Sequence, residues 1–455
     1  MKIHNPATGA VLADVAADNA KAVRAKYDRA RAAQPRWAAR PMARRLAAMR
    51  AFRGELLTRV EALARTLSEE VGKPIRQARN EVNGLTARLD FFLAESARAL
   101  RDERVFDSRE QNLEERISHE PLGVIANVSA WNYPYFVGGN VFVPALVAGN
   151  AVLYKPSEFA TLTGLHIAEM MRAAGVPDDV FVPVIGDGAT GAALLRQPVD
   201  GVFFTGSYAT GAKIAAGAGR RMVKVQLELG GKDPAYVADD VDVKAAAAAL
   251  ADGAFYNTGQ SCCSVERIYV HEAVHDAFVA AFVAEVKGYA QGDPLDEKTY
   301  IGAITRKPQL AVLRRQVADA LKKGATLKLG GAPMRRKGNW FAPTVLTDVD
   351  HSMAVMREES FGPIIGIQAV ADDDAAVDQM NDTDYGLTAA VYSRDEKRAR
   401  KLLARVDAGT VYWNCCDRVS PRLPWSGVKH SGVGLTLSTY GIQTFTRPKA
   451  WHLKA

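Results

Sequence analysis

From Gly123 onward, short apolar segments alternate with segments of helical periodicity, and no other feature constrains the fold of this chain as strongly. The apolar segments predict strands at 124–128, 151–155, 180–185, 202–205 and 224–229, with helices at 163–174 and 188–195. A strand–helix–strand series forms right-handed crossovers, which build a parallel sheet covered by helices on both faces. Ligands of such sheets bind outside the carboxyl ends of the strands.

A second series of the same kind begins near Pro234. It predicts strands at 235–238, 267–270, 364–369 and 410–413, and helices at 243–255, 273–289, 308–323, 372–380 and 395–406. The segment before Gly123 is helical at 18–33, 42–57, 60–70 and 76–100, and then polar and extended at 102–119. We therefore expect an α/β protein with two large domains, the leading helices packing on the first.

The composition excludes several classes of protein. The chain has 455 residues, and its 58 Lys and Arg against 51 Asp and Glu give a net charge of +7. The basic clusters have no interleaved aromatic residues, which indicates solvated faces and no nucleic-acid groove. No apolar run reaches the roughly 18 residues of a membrane span, and the start lacks a secretory apolar segment. The four Cys form two adjacent pairs, unsuited to disulfides, so we expect a cytoplasmic location and a free thiol.

Two kinds of residue near predicted strands are candidates for covalent catalysis. Cys262 and Cys263 follow a glycine turn, and a thiolate is a strong nucleophile. Considered alone, such a cysteine is more often small core filler. Glu228 ends a strand before Gly230 and Gly231, where a carboxylate can act as a general base; the alternative is a surface salt bridge or a helix cap.

Three further segments at strand ends suit a phosphate, a diol or a developing anion. The run 204–211 reads as a strand, a glycine turn and a helix start, which suits a pyrophosphate although the usual glycine spacing is missing. The amide of Asn132 can donate to an oxyanion. Lys155 and Glu158 can hold ribose hydroxyls. Each segment, taken alone, could have a purely structural role. No single structural role would explain all of them together.

As a set, these motifs resemble the aldehyde dehydrogenase superfamily over essentially the whole chain. The matching segments are 131–134, 155–158, 204–207, 228–232, 259–262, 358–363, Asn414 and 424–432. The length is similar to that of bacterial semialdehyde dehydrogenases. The resemblance implies an α/β fold with a Rossmann-like cofactor domain in the family's five-stranded variant, a second α/β catalytic domain and a β-strand oligomerisation arm.

The resemblance also implies domain boundaries and an assembly. The dinucleotide-binding domain would comprise 1–102 and 122–230, with 431–442 returning to it, and the catalytic domain would comprise 231–430. The oligomerisation arm would comprise 103–121 and 443–455. Because the stretch 441–448 looks like a strand without a partner of its own, a homodimer or homotetramer is expected.

The reaction implied by the resemblance is the oxidation of an aldehyde to its acid with NAD(P), without a metal. Cys262 would attack the aldehyde carbon, and Asn132 with the Cys262 backbone N–H would hold the oxyanion of the thiohemiacetal. Hydride transfer to the nicotinamide would leave a thioester, which a water activated by Glu228 would hydrolyse. The cofactor contacts would be Trp131 and Ser207 at the pyrophosphate, Lys155 and Glu158 at the adenosine ribose, Glu359 and Phe361 at the nicotinamide, and beside them Ser157, Gly206 and Leu229.

Cofactor choice and proton transfer each depend on particular positions. The Glu158 carboxylate repels a 2′-phosphate, which favours NAD, while Lys155 leaves NADP possible. Val141 stands where many relatives have a lysine, and Thr436 where many have a glutamate. Both family residues belong to a proton path that serves the base, so this path is in doubt, although Glu228 itself is not.

The expected substrate residues point in two directions. Tyr133, Phe136 and Trp425 fall where relatives line the aldehyde tunnel, which favours an apolar or aromatic aldehyde. Arg418 and Arg422 could bind the carboxylate of an ω-oxo acid such as succinate semialdehyde. The alternative for both arginines, slightly preferred, is that they face solvent or a neighbouring subunit.

Two rival functions remain open at this point. One is a CoA-acylating dehydrogenase, which Glu228 disfavours because that route needs no base. The other is a non-catalytic binding protein with the same fold. Cys263 is expected to be a bystander, with a redox role beside Cys262 as the alternative.

Overall fold

The computed structural model describes residues 1–454. Its first part is a short hairpin and four helices: β1 (Lys2–His4), β2 (Val11–Asp14), α1 (Ala20–Ala38), α2 (Met42–Thr58), α3 (Val60–Val71) and α4 (Ile75–Ala99). Asn19 caps α1 by accepting a hydrogen bond from the Ala22 N–H, and a left-handed Gly72 ends α3. The helices expected in this segment are confirmed.

Two polar strands lead into the first large sheet. This part comprises β3 (Glu103–Ser108), β4 (Leu113–Pro121), β5 (Val124–Val128), α5 (Pro134–Ala148), β6 (Ala151–Lys155), α6 (Thr161–Ala173), β7 (Phe181–Pro183), α7 (Gly188–Leu195), β8 (Gly201–Thr205), α8 (Tyr208–Gly219) and β9 (Lys224–Glu228). The last five strands pair in parallel in the order β9–β8–β5–β6–β7. The winding direction therefore changes between β5 and β8, where open α/β sheets bind ligands.

Helix α5 was not predicted from the sequence pattern. Nearly all of its side chains are buried, so the apolar residues show no helical period. Pro134 in its first turn and a left-handed Gly149 after its last turn define its ends. The helix shares one apolar core with the leading helices, and Phe142 packs edge-to-face on Phe52 of α2. The leading helices therefore pack on elements of the first large sheet.

The second large sheet follows directly after β9. This part comprises β10 (Asp233–Val237), α9 (Val243–Phe255), β11 (Val265–His271), α10 (His275–Lys287), α11 (Gln309–Lys322), β12 (Thr326–Leu329), β13 (Thr344–Thr347), α12 (Ala354–Arg357), β14 (Ile364–Val370), α13 (Asp373–Asn381), β15 (Tyr385–Gly386), β16 (Thr388–Tyr392), α14 (Glu396–Leu403) and β17 (Thr410–Trp413). The order is β12–β13–β14–β11–β10–β16–β17, parallel except for β12. The sequence pattern missed β13 and β16 because both are short and fully buried, without alternation.

The C-terminal part returns to the first sheet and to the polar strands. It comprises β18 (Val428–Lys429), β19 (Gly432–Val433), α15 (Ser438–Gln443) and β20 (Thr446–Lys454). β19 pairs antiparallel with β9, and β20 pairs antiparallel with β4 in a sheet of order β20–β4–β3.

Two details of the predicted C-terminal strand are wrong. Residues 441–443 are helical, because they form the end of α15, and the strand begins only at Thr446. The strand also has a partner within its own chain, since it pairs along β4 from Pro121 to Leu113. Across residues 1–454, none of the helices is both long enough and apolar enough to span a lipid bilayer.

Candidate active site

The loop between α9 and β11 presents Cys262 to a cavity. Asn257 and Thr258 both adopt left-handed backbone angles, with φ of 53° and 59°, and they start a tight turn. Gly259 continues the turn with φ of 68°, and a side chain there would collide with the Gly362 carbonyl. Cys262 is half-buried with a free thiol, so its sulfur is within reach of a small molecule in the cavity.

Hydrogen bonds fasten this loop to the segment that follows β5. The Asn132 side-chain amide donates to the Gln260 carbonyl at 3.1 Å. The Asn257 amide donates to the same carbonyl at 3.0 Å and to the Asn132 carbonyl at 3.2 Å. The family resemblance implies that Asn132 acts beside Cys262, and the structure brings this amide to the cysteine loop. The predicted oxyanion role requires that proximity.

A buried ion pair, which the sequence reasoning missed, supports the same segment. Lys73 and Glu81 are fully buried and form a salt bridge. The Lys73 ammonium also donates to the Asn132 carbonyl at 2.7 Å, and Glu81 accepts from the Tyr135 N–H at 2.9 Å. Removing one member of a buried pair costs about 3–5 kcal/mol, because it leaves an uncompensated charge. Lys73 stands between Gly72 and Pro74, two residues typical of a helix break, so no local signal reveals this role.

Glu228, the last residue of β9, is buried and reaches the same cavity as Cys262. Its Oε1 accepts hydrogen bonds from the Thr436 hydroxyl and, at 3.1 Å, from the Gln226 amide. Burial raises the pKa of Glu228 to about 7, although Thr436, Arg88 and Gln226 each oppose the shift. A carboxylate with a pKa near neutrality is suited to general base catalysis.

Thr436 is the position where the sequence departs from the family's glutamate. Its backbone is fixed by two hydrogen bonds with Trp425, since the Trp425 N–H donates at 2.8 Å and the Trp425 carbonyl accepts at 2.9 Å. Its hydroxyl donates to the Glu228 carboxyl group. The second departure, Val141, is a buried residue of α5.

The cavity that holds Cys262 and Glu228 has a volume of about 500 Å³, and four aromatic side chains form part of its wall: Tyr133, Phe136, Tyr256 and Trp425. The expected substrate residues Tyr133, Phe136 and Trp425 all line it, and the rings of Tyr133 and Phe136 stack at 5.8 Å. The structure therefore brings together the predicted nucleophile, the predicted base and the predicted aromatic wall.

The two arginines expected to bind a substrate carboxylate, Arg418 and Arg422, do not lie together at the cavity. Arg418 lines the cavity but is exposed; its guanidinium lies 3.6 Å from the Asp252 carboxylate and donates to the Asp417 carbonyl at 3.1 Å. Arg422 is exposed, and it is not among the described residues that line the cavity. The two guanidiniums therefore do not converge on one point of the cavity.

The second thiol, Cys263, points to a carboxyl group. Its Sγ donates to Asp417 Oδ1 at 2.8 Å, and its side chain is buried. Contact with Cys262, burial and Asp417 together raise the pKa of Cys263 well above its ordinary value. Cys263 is therefore a protonated thiol at neutral pH and a poor nucleophile.

A second cavity, of about 720 Å³, lies at the carboxyl ends of β5, β6 and β8. Six of the expected cofactor residues line it: Trp131, Lys155, Ser157, Glu158, Gly206 and Ser207. Ser207 is the N-cap residue of α8, but its side chain accepts no hydrogen bond from the helix, so N–H groups of the first turn stay available for an anion. This cavity fits a dinucleotide, since an anion site and a polar pair for a diol share one crevice.

The part of this cavity around Lys155 and Glu158, expected at the adenosine ribose, has mixed charge. The Lys155 ammonium lies 3.8 Å from the Glu158 carboxylate, and burial lowers the pKa of Lys155. Lys213 and Arg306 add positive charge to the wall. Leu229, also expected at the cofactor, is buried and packs against α8. The described residues that line the cavity do not include it.

Glu359 and Phe361, expected at the nicotinamide, stand in the loop before β14; they do not line the cavity themselves, but Phe361 contacts Trp131 in its wall. Phe361 packs edge-to-face on Trp131 with ring centroids 5.5 Å apart. Glu359 Oε1 accepts a hydrogen bond from the Gly231 N–H at 3.2 Å. Burial, and to a lesser extent the negative charge of the nearby Glu266, raises the pKa of Glu359 to about 8.

Glu266 holds this loop, and the sequence reasoning missed it. Its carboxylate accepts from the N–H groups of Ser360 at 2.8 Å and Phe361 at 2.9 Å. The Lys232 ammonium donates to Glu266 at 2.7 Å and to the Ser360 hydroxyl at 3.0 Å. Lys232 stands in the motif after Glu228, so this network connects the base segment with the Glu359 loop.

Comparison with known proteins gives one consistent match. The family model described as "Aldehyde dehydrogenase family" matches residues 1–451. The 3,6-anhydro-alpha-L-galactose dehydrogenase of Streptomyces coelicolor is 35% identical over 460 residues, which cover 100% of this chain and 93% of that protein. The succinate-semialdehyde dehydrogenase (NADP(+)) of Deinococcus radiodurans is 35% identical over 446 residues, which cover 98% and 93%.

Solved structures agree with these relatives. The crystal structure of an NAD-dependent aldehyde dehydrogenase from Sinorhizobium meliloti superposes with a TM-score of 0.96 at 35% sequence identity, covering 100% of this chain and 91% of that chain. The α/β fold expected from the strand–helix alternation is thereby confirmed.

Proposed function

Because this chain belongs to the aldehyde dehydrogenase family, whose members oxidise aldehydes to acids with NAD(P), we propose that Cys262 and Glu228 carry that reaction here. One observation carries the assignment: the thiol and a carboxyl group of raised pKa line one cavity. Each group came from a separate motif, and only the fold brings the two motifs together.

The first half of the reaction takes place at the sulfur. The Cys262 thiolate attacks the aldehyde carbon, a C–S bond forms, and the carbonyl oxygen becomes an oxyanion. The Asn132 amide and the Cys262 backbone N–H donate to this oxygen. A bound nicotinamide cofactor supplies the acceptor for the hydride that leaves the carbon. Cys262 then carries the acyl group as a thioester.

The second half of the reaction depends on Glu228. Its carboxylate takes a proton from water, the resulting hydroxide equivalent attacks the thioester carbon, and the C–S bond breaks to release the acid. Thr436 and Gln226 act as positioning residues, since both donate to the same carboxylate oxygen. The proton path of many relatives is replaced here by a single hydroxyl contact, and the proton leaves Glu228 through water in the cavity.

For the cofactor, we propose a preference for NAD over NADP, supported by the Glu158 carboxylate beside Lys155. Glu158→Gln is expected to shift the ratio of kcat/KM values toward NADP by about tenfold, because repulsion of the 2′-phosphate disappears. The ratio is measured from initial rates with the two cofactors. A ratio that moves toward NAD would contradict this assignment.

For the substrate, the cavity supports an aldehyde whose body packs on aromatic rings. The names of the relatives differ in this respect, since one acts on an anhydro-sugar and another on succinate semialdehyde. Both an aromatic or apolar aldehyde and a semialdehyde remain within the proposal. Of the arginines expected to select a carboxylate, Arg418 alone stands at the cavity.

Rapid mixing of the protein with NAD and an aldehyde tests the proposed reaction. Free carboxylic acid is expected in the absence of CoA, because Glu228 makes water the acceptor of the acyl group. The acid and any acyl-CoA are separated chromatographically, with and without added CoA. Acyl-CoA as the main product would establish the CoA-acylating alternative.

The open edges of the sheet β20–β4–β3 and the free thiols bear on the assembly and the location of the protein. We expect a homodimer or homotetramer in which the sheet β20–β4–β3 adds to a neighbour, since its outer strands are open edges of this chain. Sedimentation velocity tests that state. A cytoplasmic location, suggested by the free thiols, is testable by cell fractionation.

A further inference from the structure

Arg88 is a buried cation in the wall of the substrate cavity, and its one effect described above is to favour the ionised form of Glu228. It lies on α4, its residue exposure is 6%, and it lines the same cavity as Cys262 and Glu228. Charged side chains are almost never buried to this extent without a partner of opposite charge.

The protein satisfies little of the hydrogen-bonding capacity of Arg88. One guanidinium nitrogen donates to Asn140 Oδ1 at 2.8 Å, and across residues 1–454 no carboxylate lies within 4.0 Å of the group. A guanidinium has five N–H donors, so several have no protein acceptor. Burial lowers the pKa of Arg88 to about 10, and the group therefore stays charged at neutral pH.

The guanidinium is nevertheless held in a defined orientation. Its central carbon lies 3.8 Å from the centre of the Phe136 ring, which is a cation–π contact. Gly84, one helical turn before Arg88, makes room for that ring, since a side chain there would collide with it. A ring beneath the guanidinium leaves its in-plane donors free to meet a planar anion.

Most acidic groups of the cavity are already occupied. Glu81 is paired with Lys73, Asp252 lies near Arg418, and Asp417 accepts from the Cys263 thiol. Glu228 accepts from Thr436 and Gln226, and burial raises its pKa to about 7. No acidic side chain of the described residues therefore takes up the free donors of Arg88 by contact.

We propose that Arg88 is a specificity-determining residue, which binds the far carboxylate of an ω-oxo acid while Cys262 meets the aldehyde end. This inference rests on the proposed aldehyde oxidation. The carboxylate accepts from the planar fork, and the methylene groups between the two ends pack on the aromatic wall. Arg88 thus replaces the pair Arg418 and Arg422, whose guanidiniums do not converge.

The test compares aldehydes that match in length and differ in charge. Malonate, succinate and glutarate semialdehydes are measured against propanal, butanal and pentanal with the wild-type protein and NAD. One semialdehyde is expected to exceed its uncharged counterpart in kcat/KM by about 10- to 100-fold, the range of a charge-assisted hydrogen bond. This measurement needs no variant, so it does not depend on the folding of a mutant.

The variant Arg88→Gln tests the residue itself. It is expected to lose that preference, with kcat/KM for the semialdehyde lowered about 10- to 100-fold and kcat/KM for the uncharged aldehyde changed less than about threefold. Arg88→Lys is expected to retain part of the preference, because it keeps the charge without the fork. Arg98→Gln, an exposed position on the same helix, is the matched control and is expected to leave both values unchanged.

The outcomes separate this inference from the proposed function. Oxidation of the uncharged aldehydes without any preference for semialdehydes overturns the role of Arg88 and leaves the reaction in place. An equal loss of both substrates in Arg88→Gln also overturns it, since the residue then serves the fold or Glu228. Absence of oxidation with every aldehyde in the wild-type protein overturns the proposed function as well.

Discussion

Cys262→Ala is expected to abolish aldehyde oxidation, with kcat lowered by about 10⁴-fold or more, because the second thiol at the cavity, Cys263, is protonated and bonded to Asp417 and cannot take over as nucleophile. NADH formation at saturating aldehyde measures the loss. Calorimetric titration with NAD measures cofactor affinity, which is expected to stay within about threefold of the wild-type value. The cofactor cavity is lined by other residues, so the substitution leaves it intact.

Cys263→Ala is the matched control for this substitution. The neighbouring thiol is buried, protonated and bonded to Asp417, so its loss is expected to change kcat by less than about threefold. Equal losses in the two variants would contradict a single nucleophile. A wild-type protein that binds NAD and oxidises no aldehyde would establish the non-catalytic alternative.

Glu228→Gln is expected to separate the two halves of the reaction. A burst of NADH equal to the enzyme concentration should persist, because thioester formation does not need the base. The steady-state rate should fall by about 10²- to 10⁴-fold, since the thioester is no longer hydrolysed with base assistance. Stopped-flow absorbance resolves the burst from the steady state. Loss of the burst would assign Glu228 to the first half instead.

The pH dependence of hydrolysis follows from the same residue. A general base acts in its ionised form, and burial raises the pKa of Glu228 to about 7. Thioester hydrolysis should therefore rise about tenfold per pH unit below pH 7 and level off above it. Thr436→Val removes a donor that favours the ionised form, so the midpoint should move to higher pH. A midpoint that stays in place or moves lower would remove Thr436 from this role.

Elements with a local signal could be predicted from the sequence. The bounds of β5, β6, α7, α9 and β17 agree with the prediction at both ends, because turn residues punctuate an apolar period there. Helix α5 and strand β16 could not be predicted by period, since burial on every side removes the contrast that defines one. The C-terminal boundary failed because 441–443 continue a short helix before the strand begins.

The site shows the same division between local motifs and distant contacts. Three of the predicted residues stand in motifs that indicate their chemistry: Cys262, Glu228 and Asn132. The structure brings all of them to one region. The Lys73–Glu81 pair and Glu266 carry no such motif, because their meaning depends on partners far along the chain. The proposed role of Arg88 can be inferred only from the structure, because burial and an aromatic neighbour distinguish it from other arginines on helices.

The return of the C-terminal segment to the first sheet affects how the enzyme matures on the ribosome. Gly432 and Val433 pair with β9, and Thr436 bonds the carboxyl group of Glu228. These residues are translated after all of the longer strands of both large sheets. A nascent chain that has already folded its cysteine loop therefore still lacks the contact that orients its base. Activity should therefore emerge only late in synthesis, once residues 432–436 have left the ribosome and packed on β9.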